Sequence, residues 1–204
     1  MCECISKSYL FYMIMIWIKR ENMLYIMRHG KTDWNSRHKL QGQTDIPLND
    51  EGKQMAIEAA EKYKDINIDI CYCSPLCRAT ETAKLVLEGR NIPIIFDDRL
   101  KEMNFGIYEG VEESFSIPDC PVNVLFWDPS KYEGVEGGEK LEDVFERTGD
   151  LLNKEILPLV NEGKDILIVG HGAMNSTIIC QVRELDKGHL WDEPIENCRL
   201  VQLI

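Results

Sequence analysis

Arginine and histidine side chains that could do chemistry on an anionic substrate follow several of the chain's apolar runs. The first group is Arg28-His29-Gly30, directly after the apolar residues 24–27. Imidazole is a nucleophile and a proton carrier near neutral pH, guanidinium binds phosphate through a fork of N–H groups, and glycine lets the backbone approach a ligand. The triplet therefore indicates an anion site, and the competing interpretation of a lone histidine is a structural one.

Two further polar residues repeat this pattern. Arg78 follows Ser74-Pro75 after a second apolar run, and Ser74 is predicted to cap a helix with Pro75 in its first turn. A guanidinium near unpaired helix N–H groups suits a phosphate, whereas a surface salt bridge is the alternative role for Arg78. His171 stands between two glycines after the continuous apolar run 166–169, which is typical of a strand covered on both faces.

The elements that must position these residues alternate between strand and helix patterns, which predicts an α/β fold. The predicted strands are residues 24–27, 66–73, 92–96, 166–169 and 195–204. The predicted helices are residues 50–64, a segment from 74 to about 88, a long amphipathic helix over 141–159, and 174–185. In such a sheet the carboxyl ends of parallel strands meet at one edge, so Arg28, His29, Arg78 and His171 should converge on a cationic pocket suited to phosphoryl transfer.

Composition and charge narrow the classes of partner. The 204 residues are 44% apolar and 28% charged, which is ordinary for one globular domain. The net charge of −12 argues against nucleic acid or an anionic membrane as a partner, but a few focused arginines can still bind a small phosphate ester. The eight cysteines are irregularly spaced, and Cys71, Cys73 and Cys77 lack further zinc-spaced ligands, so reduced thiols, no metal and a cytoplasmic location are expected.

The first 22 residues are predicted to be an N-terminal extension outside the core. Residues 9–18 are apolar but only about half as long as a membrane span. We expect the functional chain to begin at Met23, with contact of residues 9–18 with a membrane surface as the alternative. Residues 23–204 should form one domain, and the irregular segment of about 107–138 should be a lid or pocket wall.

With these motifs in order, the chain resembles the histidine phosphatase superfamily, whose fold is shared with phosphoglycerate mutase. The resemblance covers about residue 23 to the C-terminus. It rests on residues 28–35, on 40–42 with Asp45 and Pro47-Leu48, on 74–79, on Glu102 with Phe105-Gly106 and Glu109-Gly110, and on 170–172. It implies a three-layer α/β/α sandwich with a mostly parallel central sheet, and an enzyme that needs no cofactor.

The resemblance also implies residue roles. His29 would be the nucleophile that is phosphorylated, and Glu102 would be the proton donor, with Arg28 and His171 completing the catalytic set. The substrate-binding positions that it implies are Arg28, Asn35, Gln41, Gly42, Arg78, His171 and Gly172. The substrate is expected to be a small phosphorylated metabolite.

Some positions depart from the family pattern, and they bear on the choice of substrate. Lys31, Lys39 and Lys140 stand where an acid, an arginine and a serine are usual. Mutases of the superfamily carry Glu-Arg-x-Tyr-Gly at the acid, whereas this chain has residues 102–106 as Glu-Met-Asn-Phe-Gly, which favours a phosphatase. A phosphoglycerate mutase-type transferase and a catalytically silent phospho-ligand binding protein are the alternatives.

Overall fold

A five-stranded β-sheet lies at the centre of the computed structural model, which describes residues 22–204. Its strands are β1 (Leu24–Arg28), β2 (Ile70–Cys73), β3 (Ile94–Phe96), β4 (Ile166–Gly170) and β5 (Leu200–Gln202). Their spatial order is β3-β2-β4-β1-β5, and only β5 runs antiparallel to its neighbour. The prediction of a mostly parallel sheet is confirmed.

The register of the sheet aligns the strand ends that carry the polar residues. Arg28 of β1 pairs with Gly170 of β4, and Cys73 of β2 pairs with Val169 of β4. Since parallel strands in register end at the same level, the chain leaves all three strands at one edge.

Seven α-helices accompany the sheet in the described part of the chain. They are α1 (Asp33–Ser36), α2 (Asp50–Lys62), α3 (Cys77–Val86), α4 (Val124–Trp127), α5 (Leu141–Leu151), α6 (Leu157–Asn161) and α7 (Gly172–Val182).

The two faces of the sheet bury different helices, because alternate strand residues point to opposite faces. Met27 and Val169 pack in one apolar cluster with alanines of α2 and α3. Ile26 and Ile168 pack in the other with residues of α5 and α7. The structure is therefore the expected α/β/α sandwich of three layers.

Several predicted boundaries were too wide. The strand predicted over 66–73 begins at Ile70, because Ile70 pairs with Ile166, the first residue of β4. The strands predicted over 92–96 and 195–204 shorten to β3 and β5, and the helices predicted over 50–64 and 174–185 end at Lys62 and Val182.

The amphipathic helix predicted over 141–159 is present, but its α-helical bonding is not regular throughout. A wider π-type turn, Leu152–Ile156, separates α5 from α6, and Pro158 is the second residue of α6. Proline has no N–H to donate and its ring crowds the carbonyl of the preceding turn, so regular α-helical bonding cannot continue through that position.

The predicted capping role of Ser74 was also wrong. Helix α3 begins at Cys77 after Leu76, whose side chain makes no capping bond, and the Cys77 N–H donates to Asp45 Oδ1 at 2.7 Å. The Ser74 hydroxyl instead accepts a hydrogen bond from the Leu76 N–H at 3.3 Å, within the turn that connects β2 to the helix.

The segment 107–138 consists of short helical turns rather than long elements. Helix α4 lies within it, and single turns occur at Gly106–Tyr108, Ser114–Ser116, Pro121–Asn123 and Pro129–Lys131. The predicted extension 1–22 lies outside the described residues except for its last member. No helix within residues 22–204 is long and apolar enough to cross a membrane.

Candidate active site

His29 lies immediately after β1 and is held by its own backbone. Its N–H donates to the Gly170 carbonyl at 3.0 Å, and its carbonyl accepts from Asn197 Nδ2 at 2.6 Å. In the side chain, Nδ1 lies 2.6 Å from the Gly30 carbonyl oxygen. A carbonyl can only accept, so Nδ1 carries the hydrogen and Nε2 keeps the lone pair.

The surroundings of His29 keep its imidazole neutral. Burial, followed by the positive charges of Arg78 and Arg28, holds the pKa of His29 well below 6.5, against a smaller opposing effect of the bond to Gly30. Both desolvation and like charge disfavour the imidazolium ion. The ring is therefore uncharged at neutral pH, with the lone pair of Nε2 available.

Arg78 is completely buried at the start of α3. Its Nη2 donates to the Gly42 carbonyl at 2.6 Å and its Nη1 to the Thr44 carbonyl at 3.0 Å. Gly42 has a φ of +54°, and a Cβ there would lie 2.0 Å from Glu109 Oε1, so glycine is favoured at this position. The loop carbonyls thus set the direction of the guanidinium.

The Glu109 carboxylate holds that loop in place. It accepts hydrogen bonds from the backbone N–H groups of Gln43 at 2.8 Å and Thr44 at 2.7 Å, and from the Thr44 hydroxyl. It also accepts from the Phe105 N–H at 3.2 Å. The sequence assigned no role to Glu109, although it belongs to the Glu109-Gly110 motif.

Glu102 is bound by the N-terminus of α7. Its Oε1 accepts from the N–H groups of Met103 at 2.8 Å and Met174 at 2.9 Å, and its Oε2 accepts from that of Ala173 at 3.2 Å. Burial lowers the pKa of Arg28, and the charge of Glu102 opposes that change. The Glu102 carboxylate therefore lies close enough to the Arg28 guanidinium for their charges to attract each other.

His171 packs against His29 and is completely buried. The two ring centroids are 5.1 Å apart, and His171 Nε2 lies 2.8 Å from the Ser74 hydroxyl. Burial first, and then the charge of Arg78, holds the pKa of His171 well below 6.5. The sequence did not predict the contact with Ser74.

These two neutral histidines predict a pH-dependent stability. In the unfolded chain both take up protons below about pH 6.5, whereas in the folded protein they resist protonation, so stability is lost as the pH falls. As the pH falls from about 7 to about 5.5, the unfolding free energy should decrease. Below about pH 6.5 the slope should approach about 1.4 kcal/mol per pH unit for each of the two histidines. Urea unfolding at several pH values measures this slope.

Two histidine variants make the test specific. His171→Gln should reduce the slope, because one depressed pKa is removed. His189→Gln should not reduce it, because His189 is exposed and its bond with Asp192 raises its pKa. Equal slopes for wild type and His171→Gln would contradict the prediction.

A cavity of about 190 Å³ brings the predicted residues together. Eight predicted residues line it: Arg28, His29, Asn35, Gln41, Gly42, Arg78, Glu102 and Gly172. His171 contacts the ring of His29 but does not line the cavity. Phe126, from the segment predicted to be a lid or pocket wall, also lines it. The lining residues that the sequence did not predict are Lys39, Leu40, Phe105, Ala173 and Trp191.

Two aromatic rings form part of the cavity wall. Phe126 belongs to α4, and its ring stacks on that of Trp191 at a centroid distance of 5.4 Å. Phe126 lies within the segment predicted to be a pocket wall, whereas no pattern in the sequence links Trp191 to the site.

Asn35 has a second function within the loop after β1. Its Oδ1 accepts from the Thr32 N–H at 3.1 Å, and the Thr32 hydroxyl accepts from the Asn35 N–H at 3.2 Å, which closes a capping box at α1. The amide nitrogen of Asn35 is the polar group that remains for a ligand.

Within residues 22–204, no three side chains of histidine, cysteine, aspartate or glutamate lie together in a group that could hold a metal ion. The six cysteines described are free, and burial raises the pKa of Cys71 to about 12. The Cys71 thiol is therefore protonated and unreactive at neutral pH.

Comparison with known proteins identifies the family. The model of the histidine phosphatase superfamily, branch 1, matches residues 24–204. The chain belongs to the histidine phosphatase superfamily. Its fold is therefore that of the histidine phosphatases, and the protein is an enzyme of the phosphoric monoester hydrolase class.

Similar proteins include both phosphatases and mutases. The chain is 36% identical over 176 residues to PhoE of Bacillus subtilis (strain 168), named an uncharacterized phosphatase, covering 86% of this chain and 82% of PhoE. It is 33% identical over 172 residues to a 2,3-bisphosphoglycerate-dependent phosphoglycerate mutase of Parvibaculum lavamentivorans, covering 81% and 82%. A phosphoserine phosphatase of Entamoeba histolytica, solved with 3-phosphoglyceric acid, is 30% identical with a TM-score of 0.74 and coverage of 89% of each chain.

Proposed function

We propose that this histidine phosphatase hydrolyses a small phosphorylated metabolite through a phosphohistidine intermediate on His29. The observation that carries the proposal is the neutral imidazole with its lone pair on Nε2, in a cavity also lined by Arg28, Arg78 and Glu102. That combination supplies a nucleophile, a binding site for phosphoryl oxygens and a proton donor.

In the first step, Nε2 of His29 attacks phosphorus in line with the leaving oxygen. A nitrogen–phosphorus bond forms, the ester bond breaks, and the leaving oxygen takes a proton from Glu102. Arg28 and Arg78 bind the phosphoryl oxygens and stabilise the charge that spreads over them in the transition state.

In the second step, the Glu102 carboxylate removes a proton from water as the water attacks the phosphohistidine. The nitrogen–phosphorus bond breaks, inorganic phosphate leaves, and Nε2 recovers its lone pair. Each proton that Glu102 gives up in the first step is thus replaced in the second.

His171 is proposed to bind a phosphoryl oxygen through Nδ1. Its Nδ1 is buried and has no hydrogen-bond partner among the described residues. With the Ser74 hydroxyl donating to Nε2, Nδ1 carries the hydrogen and can donate to the bound group. Ser74 would then fix the tautomer of His171.

Phosphoryl transfer of the mutase type is the second candidate function, favoured by similarity to the Parvibaculum lavamentivorans mutase. The residue after Glu102 is Met103, which is completely buried and cannot bind a second acidic group. This supports transfer to water rather than back to an organic acceptor.

Brief labelling with a ³²P-phosphate ester tests the intermediate. We expect a covalent adduct that survives base, is lost in acid and maps to the peptide containing His29, followed by release of inorganic phosphate. An acid-stable adduct, or an adduct on another peptide, would overturn the mechanism. Return of the label to an organic acceptor would favour the mutase.

The leaving alcohol is proposed to contact the wall formed by Phe126 and Trp191, since these rings line the cavity that holds His29. A phosphate-release screen over sugar phosphates, phosphoglycerates and nucleotides identifies the substrate class. Equal rates across all of these would show that the wall does not select the leaving group.

A further inference from the structure

Arg147 connects α5 to the segment that carries Glu102. Its Nη1 donates to the Arg99 carbonyl at 2.6 Å and its Nη2 to the Glu102 carbonyl at 3.2 Å. Its Nε lies 2.9 Å from Glu139 Oε1, and its Nη2 lies 3.1 Å from Glu139 Oε2. One guanidinium therefore bonds to one carboxylate and two backbone carbonyls.

Glu139 binds the other side of the same segment. Its Oε2 accepts from the Asn104 N–H at 2.8 Å, and its own N–H donates to the Asn104 carbonyl at 2.9 Å. The two strands of chain lie so close that a Cβ on Gly106 would be 2.1 Å from the Glu136 carbonyl oxygen. The backbone is thus fixed at residues 99, 102 and 104.

We infer that the Arg147–Glu139 ion pair is a positioning device that aims the Glu102 carboxyl group at the leaving oxygen. The inference rests on the proposed function, because it acts on the proton donor named there. Arg147 does not line the cavity, and among the residues that do, its hydrogen bonds reach only the backbone of Glu102.

The geometry suits this role better than a general contribution to stability. Both side chains are partly buried, at 17% and 22% exposure, so water screens their attraction less than at the surface. A planar guanidinium with a bidentate carboxylate sets direction as well as distance. Displacement of a catalytic group by about 1 Å is enough to cost about 10²-fold in rate.

Arg99 provides a matched control on the same segment. Its guanidinium binds Asp97 at 2.6 Å and Asp150 at 2.7 Å, and also Glu155. These bonds stabilise the segment but do not involve Glu102. Lysine at either position keeps the positive charge, including the effect of Arg147 on the pKa of His171.

The experiment compares Arg147→Lys, Arg99→Lys and wild type on an alkyl phosphate and on p-nitrophenyl phosphate. The nitrophenolate leaves without a proton, whereas an alkoxide needs one. For Arg147→Lys we expect kcat/KM to fall about ten-fold more for the alkyl phosphate than for p-nitrophenyl phosphate. Arg99→Lys should leave the ratio of the two values unchanged.

A double variant with Glu102→Gln separates positioning from stability. If Arg147 acts through Glu102, Arg147→Lys should change the ratio no further once Glu102 is replaced. An equal loss on both substrates, the same change in Arg99→Lys, or an additive change in the double variant would each overturn the inference. Wild-type protein that hydrolyses neither substrate would instead overturn the proposed function.

Discussion

Replacement of His29 by alanine is expected to lower kcat/KM for phosphomonoester hydrolysis by about 10⁴-fold or more. The loss is large because the proposed path has no second nucleophile. His171 is near in space, but its Nε2 is bonded to Ser74, and in the proposed tautomer its Nδ1 carries a hydrogen and has no free lone pair. Phosphate release measured with a sensitive coupled assay gives the residual rate.

The fold should survive this substitution. The backbone bonds of His29 to Gly170 and Asn197 do not use its side chain, and the Gly30 N–H still donates to the Thr82 hydroxyl at 2.9 Å. With Arg28 and Arg78 in place, His29→Ala should also bind inorganic phosphate, measured by calorimetry.

A surface histidine supplies the control for this prediction. His189 is exposed and pairs with Asp192, so His189→Ala should keep wild-type activity. A His29→Ala protein that is folded, binds phosphate and retains more than about a tenth of the activity would contradict the assignment of the nucleophile.

The convergence of Arg28, His29, Arg78 and His171 was predictable because it follows from local pattern and one topological rule. Apolar runs marked β1 and β4, and the residues after a run in a parallel sheet meet at one edge. The family resemblance added Glu102, which no periodic pattern could have selected from the chain's many acids.

The supporting contacts were not predictable in the same way. The bond of Ser74 to His171 spans 97 positions in sequence, and the bond of Arg147 to the Glu102 carbonyl spans 45. One of these bonds ends on a backbone carbonyl, which every residue has, and the other on a serine hydroxyl. Neither the residue types nor their spacing in the sequence therefore predicts them.

The irregular turn before Pro158, in contrast, could have been predicted from the sequence. A proline within a helical pattern predicts a break in the preceding turn from local rules alone. The apolar spacing through Leu159 outweighed that rule, although the buried side chains Leu152 and Ile156 keep their face through the π-type turn. The apolar face was therefore right and the regular helix was wrong.

Replacement of Glu102 by glutamine is expected to slow alkyl phosphate hydrolysis by about 10²- to 10⁴-fold while p-nitrophenyl phosphate hydrolysis falls much less. An amide cannot donate a proton to a leaving alkoxide, and nitrophenolate hardly needs one. The ratio of the two kcat/KM values, and not either rate alone, measures the donor role.

Glutamine is a conservative replacement at this position. Its oxygen can keep the bonds from Met103 and Met174, and its nitrogen then faces the Ala173 N–H, where the weakest of the three bonds was. The amide nitrogen cannot accept from that N–H, so the substitution should lower the unfolding free energy by about 1 to 3 kcal/mol, which thermal unfolding measures. Glu102→Asp is the complementary variant. It keeps a carboxyl group, but the side chain is one methylene shorter, so the acid lies farther from the leaving oxygen.

Comparison of Glu102→Gln with Glu102→Asp separates the loss of the acid from a change in its position. Glu102→Asp should show a smaller change of ratio than Glu102→Gln, because a retained acid can still protonate the leaving group through a longer path. Since Glu102 is also proposed to activate water, burst kinetics with p-nitrophenyl phosphate should show the phosphohistidine of Glu102→Gln accumulating as its hydrolysis slows. Equal losses on both substrates, with no accumulation of the adduct, would remove Glu102 from both proton transfers.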